Sequence, residues 1–105
     1  MRIGFKNNKT KKLCTNRKKA IKKLGDQAGK KLHLRLTQMA AFETLDDVPV
    51  HPPFRRHKLS GNWDGSFAVN IHGQYRLILT NLNGEINDLS TITIVLVEEV
   101  SKHYE

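Results

Sequence analysis

The fold of this 105-residue chain is read from Ser66-Phe67-Ala68-Val69-Asn70-Ile71-His72-Gly73-Gln74-Tyr75-Arg76-Leu77-Ile78-Leu79-Thr80. Phe67, Val69 and Ile71 alternate with Ala68, Asn70 and His72, the period of a strand with one buried face. Gly73-Gln74 is a two-residue connection of the kind that closes a tight hairpin. Tyr75, Leu77 and Leu79 then alternate with Arg76, Ile78 and Thr80, so a second strand returns beside the first. Beyond it, Asn83-Gly84 marks another turn. Thr91 to Val97 is nearly all β-branched and reads as a central strand covered on both faces.

Working back from the hairpin, Asn62-Trp63-Asp64-Gly65 is turn chemistry and Arg55 to Ser60 a candidate strand. Thr44 to Pro53, with Asp46-Asp47, Pro49 and Pro52-Pro53, is a loop. Ahead of it lie two helical patterns. From Lys9 to Leu24, the apolar residues Leu13, Ala20, Ile21 and Leu24 are set among lysines, with a possible break near Thr15-Asn16. Gly25 stops this helix, and Asp26 offers an N-cap for the next. Ala28, Leu32, Leu36 and Met39-Ala40 continue at spacings of three and four through Ala41. Helices this short should pack as a hairpin on something else. Met1 to Phe5 alternates as a first strand. The expectation is an α+β domain over residues 1–105. An N-terminal strand and two helices pack on one face of a mostly antiparallel, about five-stranded sheet.

Composition narrows the function. A chain of this length, 38% hydrophobic, can build one modest core, which excludes a large multidomain enzyme. Cys14 has no cysteine to pair with, which excludes a disulfide scaffold and makes it a small buried apolar residue. No apolar run approaches the ~20 residues of a membrane span, and the first residues lack the apolar stretch of a signal peptide. The expected setting is cytoplasmic, with no membrane partner. The formal charge of +8 is unevenly placed. Residues 1–35 hold 13 Lys and Arg against the single acid Asp26, whereas residues 36–105 hold 5 against 9 acids. Such a block attracts a polyanion and binds it with strong salt dependence. Lys18, Lys19, Lys22, Lys23, Lys30 and Lys31 are the candidate RNA contacts, joined by Arg56 and Trp63. A lysine face is also simply well solvated, and a turn tryptophan closes a small core more often than it stacks on a base.

His33, His51, His57, His72 and His103 lack the spacing of a zinc motif, and no phosphate-cradling glycine loop or nucleophile elbow occurs. Neither metal nor small-molecule cofactor is expected. What remains is His57-Lys58 at the end of one strand, Arg76 within another, and His103-Tyr104 after the last. Antiparallel pairing would bring these together. Each suits cleavage of an RNA phosphodiester. The 2′-hydroxyl must lose a proton, the phosphorane charge must be met, and the 5′-oxygen must gain a proton. Histidine titrates near neutrality and arginine clamps phosphate oxygens. Competing structural uses are a carboxylate partner for Arg76, supplied by Glu98 or Glu99, and a solvated strand-end role for His57.

In order and spacing these segments resemble the RelE/ParE superfamily of bacterial toxins, in its HigB-like branch. The resemblance runs through Phe5-Lys6-Asn7, Lys11-Lys12-Leu13-Cys14, Lys18 to Gly25 and Ala28 to Leu32. It continues in Arg56-His57-Lys58-Leu59-Ser60-Gly61, Phe67 to Asn70, Tyr75 to Leu79, and Val97 to Val100 with His103-Tyr104. It implies a RelE-like toxin fold and a ribosome-dependent endoribonuclease that cuts mRNA by 2′-hydroxyl attack without metal. It implies a helix-turn-helix, HigA-like antitoxin as partner, and basic helices that dock on ribosomal RNA. His57, His103 or Tyr104 would handle protons, Arg76 would stabilise the phosphorane, and Lys58 would assist. Two departures stand out. Ser60 replaces the usual lysine before Gly61, and the C-terminal segment is extended and reordered. Two alternatives stay open: a ParE-like DNA gyrase poison on the same scaffold, and a basic RNA-binding module without catalysis.

Overall fold

The structure, a computed structural model, describes residues 1–102. Strand β1 (Arg2–Phe5) is followed by helices α1 (Asn8–Thr15), α2 (Arg17–Leu24) and α3 (Asp26–Ala40). Strands β2 (His57–Lys58), β3 (Phe67–His72), β4 (Tyr75–Asn81) and β5 (Ile94–Lys102) complete a sheet of order β1-β5-β4-β3-β2. All neighbours are antiparallel except β1 and β5, which pair parallel from Arg2↔Ile94 to Phe5↔Val97. The expected α+β class and five-stranded, mostly antiparallel sheet are therefore present.

The helical half contains three helices rather than two. The Lys9–Leu24 pattern breaks at Asn16, whose extended backbone ends α1 and whose side chain accepts from Lys19 N to start α2. Asn7 caps α1 in the same way through Thr10 N. Asp26 is not the N-cap of α3. Gly25, at φ +95°, takes that place, and Asp26 instead pairs with Lys30 one turn on. Helices α2 and α3 do pack as a hairpin. Their contact point is Gly29, where a Cβ would stand 2.5 Å from the Ile21 backbone.

The hairpin falls where the alternation placed it. His72 pairs with Tyr75 across Gly73-Gln74, with Gly73 at φ +58°. A bulge between Asn70 and His72 shifts the register. The Arg55–Ser60 strand shrinks to His57–Lys58, because the preceding segment turns back on itself through Arg55 N–H to His51 O and Arg56 N–H to Pro49 O. The last strand starts at Ile94 rather than Thr91, since Leu89–Thr91 forms a 3-10 turn. It lies inside the sheet, but the middle position belongs to β4.

The core fills the space between helices and sheet. Leu32, Met39, Cys14 and Ala20 from the helices meet Phe67, Val69, Ile71, Leu77, Leu79, Val95 and Val97. The Thr44–Pro53 loop contributes Leu45 and Val48, both fully buried, and is tied in by Leu45 N–H to Ile92 O. The opposite sheet face holds a small buried apolar cluster, Leu59, Ala68 and Ile78, with Trp63 of the Gly61–Trp63 3-10 turn packed against it. Among the described residues no helix is long and apolar enough to cross a membrane.

Candidate functional site

Alternation along each strand sorts the polar residues between the two faces. Tyr75, Leu77 and Leu79 belong to the helix-covered core, so Arg76, Ile78 and Thr80 belong to the opposite face. The register then builds rows across that face. His57 pairs with Ala68, Ala68 with Ile78, and Ile78 with Glu99. One row along, Asn70 pairs with Arg76 and Arg76 with Ser101. Sequence reasoning had singled out His57 and Arg76, and the sheet places both on this face. Strand spacing and rise put their backbones about 12 Å apart, a gap that a long arginine side chain and an imidazole narrow.

Arg76 is half-buried, and its Nη1 donates to Asn70 Oδ1 at 2.6 Å. Glu98, one of the two carboxylates considered for it, instead accepts from the Thr80 hydroxyl at 3.2 Å and faces Lys6 Nζ at 3.6 Å. His57 is exposed, with Nδ1 3.1 Å from Arg55 O. A carbonyl can only accept, so Nδ1 is the donor in this contact, and in that tautomer of imidazole Nε2 is the acceptor nitrogen. The face thus offers a proton acceptor and a permanently charged fork.

Lys58 is not brought to this face. It pairs with Phe67, one of the helix-side core residues, and so points away from His57. Arg56 is half-buried and spends Nε on Val48 O at 2.9 Å, which makes it part of the loop that precedes β2. Trp63 packs on Leu59, Ala68 and Ile78, the core-closing role. His103 and Tyr104 lie outside the described residues.

The lysines divide. Lys19, Lys22 and Lys23 line a cleft of about 800 Å³ where β1 ends and β5 runs on. Lys6, Lys9 and Lys12 join them, opposite the carboxylates Glu98 and Glu99 of β5, with Leu13, Leu24 and Val100 also in the lining. Lys6, Lys9 and Lys12 sit outside the densest run of lysines, so the charge pattern alone does not mark them as RNA contacts. Lys18 is exposed but outside this lining, Lys30 pairs with Asp26 at 3.1 Å, and Lys31 is half-buried.

Two residues of the site region are given no role by the sequence pattern. Asn70 holds Arg76, and behind it stands Arg35 on α3, only 3% exposed. Its Nε donates to Asn70 O at 2.9 Å, its Nη2 to Ile71 O at 3.2 Å and its Nη1 to Gln38 Oε1 at 2.7 Å. Its guanidinium lies 5.0 Å from the Phe54 ring centroid. Burial lowers its pKa. A charged residue spaced three from Leu32 and four from Met39, inside an apolar stripe, was the available signal.

Comparison with known proteins agrees with this architecture. Among curated proteins none matches the chain. The YoeB–YefM complex from Staphylococcus aureus is 16% identical, covering 99% of this chain and 98% of that one, with a TM-score of 0.55. A YafQ point mutant from E. coli is also 16% identical, covering 97% and 93%, with a TM-score of 0.59. At that identity the likeness establishes the fold. A family model described as the RelE-like toxin of the type II toxin-antitoxin system HigB matches residues 4–91. The chain therefore belongs to the HigB-like toxin family, the RelE-like toxins of type II toxin-antitoxin systems.

Proposed function

We propose that this toxin is an endoribonuclease that cuts mRNA on the ribosome by attack of a 2′-hydroxyl on the adjacent phosphate. The observation that carries the reading is the pairing of Arg76 with Asn70 on the same sheet face as His57, the one opposite the helices. His57 Nε2 takes the 2′-hydroxyl proton. The 2′-oxygen then bonds to phosphorus, and Arg76 meets the charge of the phosphorane. The bond from phosphorus to the 5′-oxygen breaks, and that oxygen takes a proton from His103 or Tyr104. The products are a 2′,3′-cyclic phosphate and a 5′-hydroxyl. Side chains supply every proton and charge in this sequence.

The lysine-lined cleft supports docking on ribosomal RNA, which would orient the message over the sheet. The partner is a helix-turn-helix, HigA-like antitoxin, and the place of action is the cytoplasm, where ribosomes are. The test is cleavage of a defined mRNA by antitoxin-free protein, with and without programmed ribosomes, mapping both ends. Cuts on ribosomes alone, leaving a 5′-hydroxyl, are expected. Folded protein that is toxic to cells but makes no cut would overturn the reading, and inhibition of gyrase supercoiling would then identify the ParE-like activity.

A further inference from the structure

We infer that Arg35, with Phe54, is a positioning residue that sets Asn70 and through it aims the Arg76 guanidinium. The inference rests on the reading of Arg76 as the group that meets the phosphorane. The bulge at Ile71 interrupts the β3–β4 ladder immediately beside Asn70, so the ladder alone does not fix that residue. A closed ring of contacts does. Asn70 N–H donates to Phe54 O at 2.7 Å, Asn70 O accepts from Arg35 Nε at 2.9 Å, and the Arg35 guanidinium lies over the Phe54 ring. Arg35 Nη2 takes the next carbonyl, that of Ile71. The backbone of Asn70 is thus held on both sides, and its Oδ1 projects to Arg76 at 2.6 Å.

The choice of arginine supports this role. Among the described residues no carboxylate pairs with Arg35, and its three polar partners are two backbone carbonyls and the Gln38 amide. A buried charge without a counter-ion is costly, and a leucine at 35 would continue the stripe of Leu32, Leu36 and Met39. A planar fork reaches successive carbonyls and stacks on a ring at once, which an ammonium does not. The site demands that geometry only if the bulge must stay in one register.

The experiment is a double-mutant cycle on ribosome-dependent mRNA cleavage, with thermal unfolding of each variant alongside. Arg35→Lys is expected to lower kcat roughly tenfold with KM for programmed ribosomes unchanged, as expected of a misaimed group. In an Arg76→Ala background the same change should cost nothing further, because its effect passes through Arg76. A folded Arg35→Lys that cuts at the wild-type rate, or a loss that multiplies with that of Arg76→Ala, overturns the inference. If Arg35→Lys unfolds, Asn70→Ala decides, since it keeps the Arg35 contacts and removes only the link to Arg76. The same kcat loss, absent in the Arg76→Ala background, supports the inference, and wild-type kcat overturns it. An Arg76→Ala variant that cuts normally overturns both this inference and the catalytic reading, whereas an inactive Arg76→Ala beside an active Arg35→Lys overturns this inference alone.

Discussion

Arg76 was legible because strand alternation sets it apart from Tyr75, Leu77 and Leu79, and the structure keeps it on the sheet face opposite the helices. Replacing it by alanine should lower single-turnover cleavage by on the order of 10²-fold, through loss of transition-state charge stabilisation. Its partner Asn70 and the support from Arg35 were not legible, because the bond from Arg35 to Asn70 spans 35 positions and no local pattern encodes it. Cys14 was read as a small apolar residue and is 4% exposed. Burial pushes its thiol from 9.0 up to about 12. Between those values the unfolded chain releases the proton and the folded chain keeps it, so the folded state loses stability as pH rises. The wild type should therefore fall off more steeply than Cys14→Ala in urea unfolding between pH 9 and 12, by at most about 1.4 kcal/mol per pH unit. Parallel stability curves would show that the thiol is not protected.

Helix and strand boundaries followed local chemistry where a side chain or a glycine fixes them. The break at Asn16 and the Gly73-Gln74 hairpin are of this kind. They moved where a backbone turn takes over the start of a strand. Strand β2 is two residues long because the chain before it is hydrogen-bonded into a turn, and β5 starts late because Thr91 is held by the preceding 3-10 turn. The α2–α3 contact is a tight joint between elements. A methyl at Gly29 would meet Ile21 Cα and N at 2.5 Å and Ala20 C at 2.7 Å, all backbone atoms that cannot rotate away. Gly29→Ala should destabilise the fold by about 1–3 kcal/mol, despite the better helix propensity of alanine. An unchanged urea midpoint would mean that the helices separate freely at this point.

For the molecule as a whole, the charge asymmetry is the property that matters most. The basic third of the chain folds into the three helices, and the acidic remainder into the loops and sheet. Folding concentrates part of that charge further, gathering six lysines around one cleft. Changing Lys19, Lys22 and Lys23 together to glutamine should weaken ribosome binding. The slope of log affinity against log salt should fall by about 2, since each phosphate contact contributes roughly 0.7–0.9. A slope that does not move would make this cleft an ordinary solvated surface.

The alternating strands, the tight hairpin, the broken basic helix and the buried cysteine all follow from the chain alone, because each depends on neighbours within one or two turns or a few strand positions. So does the likeness to RelE-like toxins, which rests on the order of such segments. The rows across the sheet face opposite the helices, the parallel seating of β1 beside β5, the cleft at its end and the Arg35–Phe54–Asn70 ring follow from folding. They join residues tens of positions apart, and which of these meet is set by how the whole core packs and by which carbonyls the bulge leaves for a buried arginine to hold.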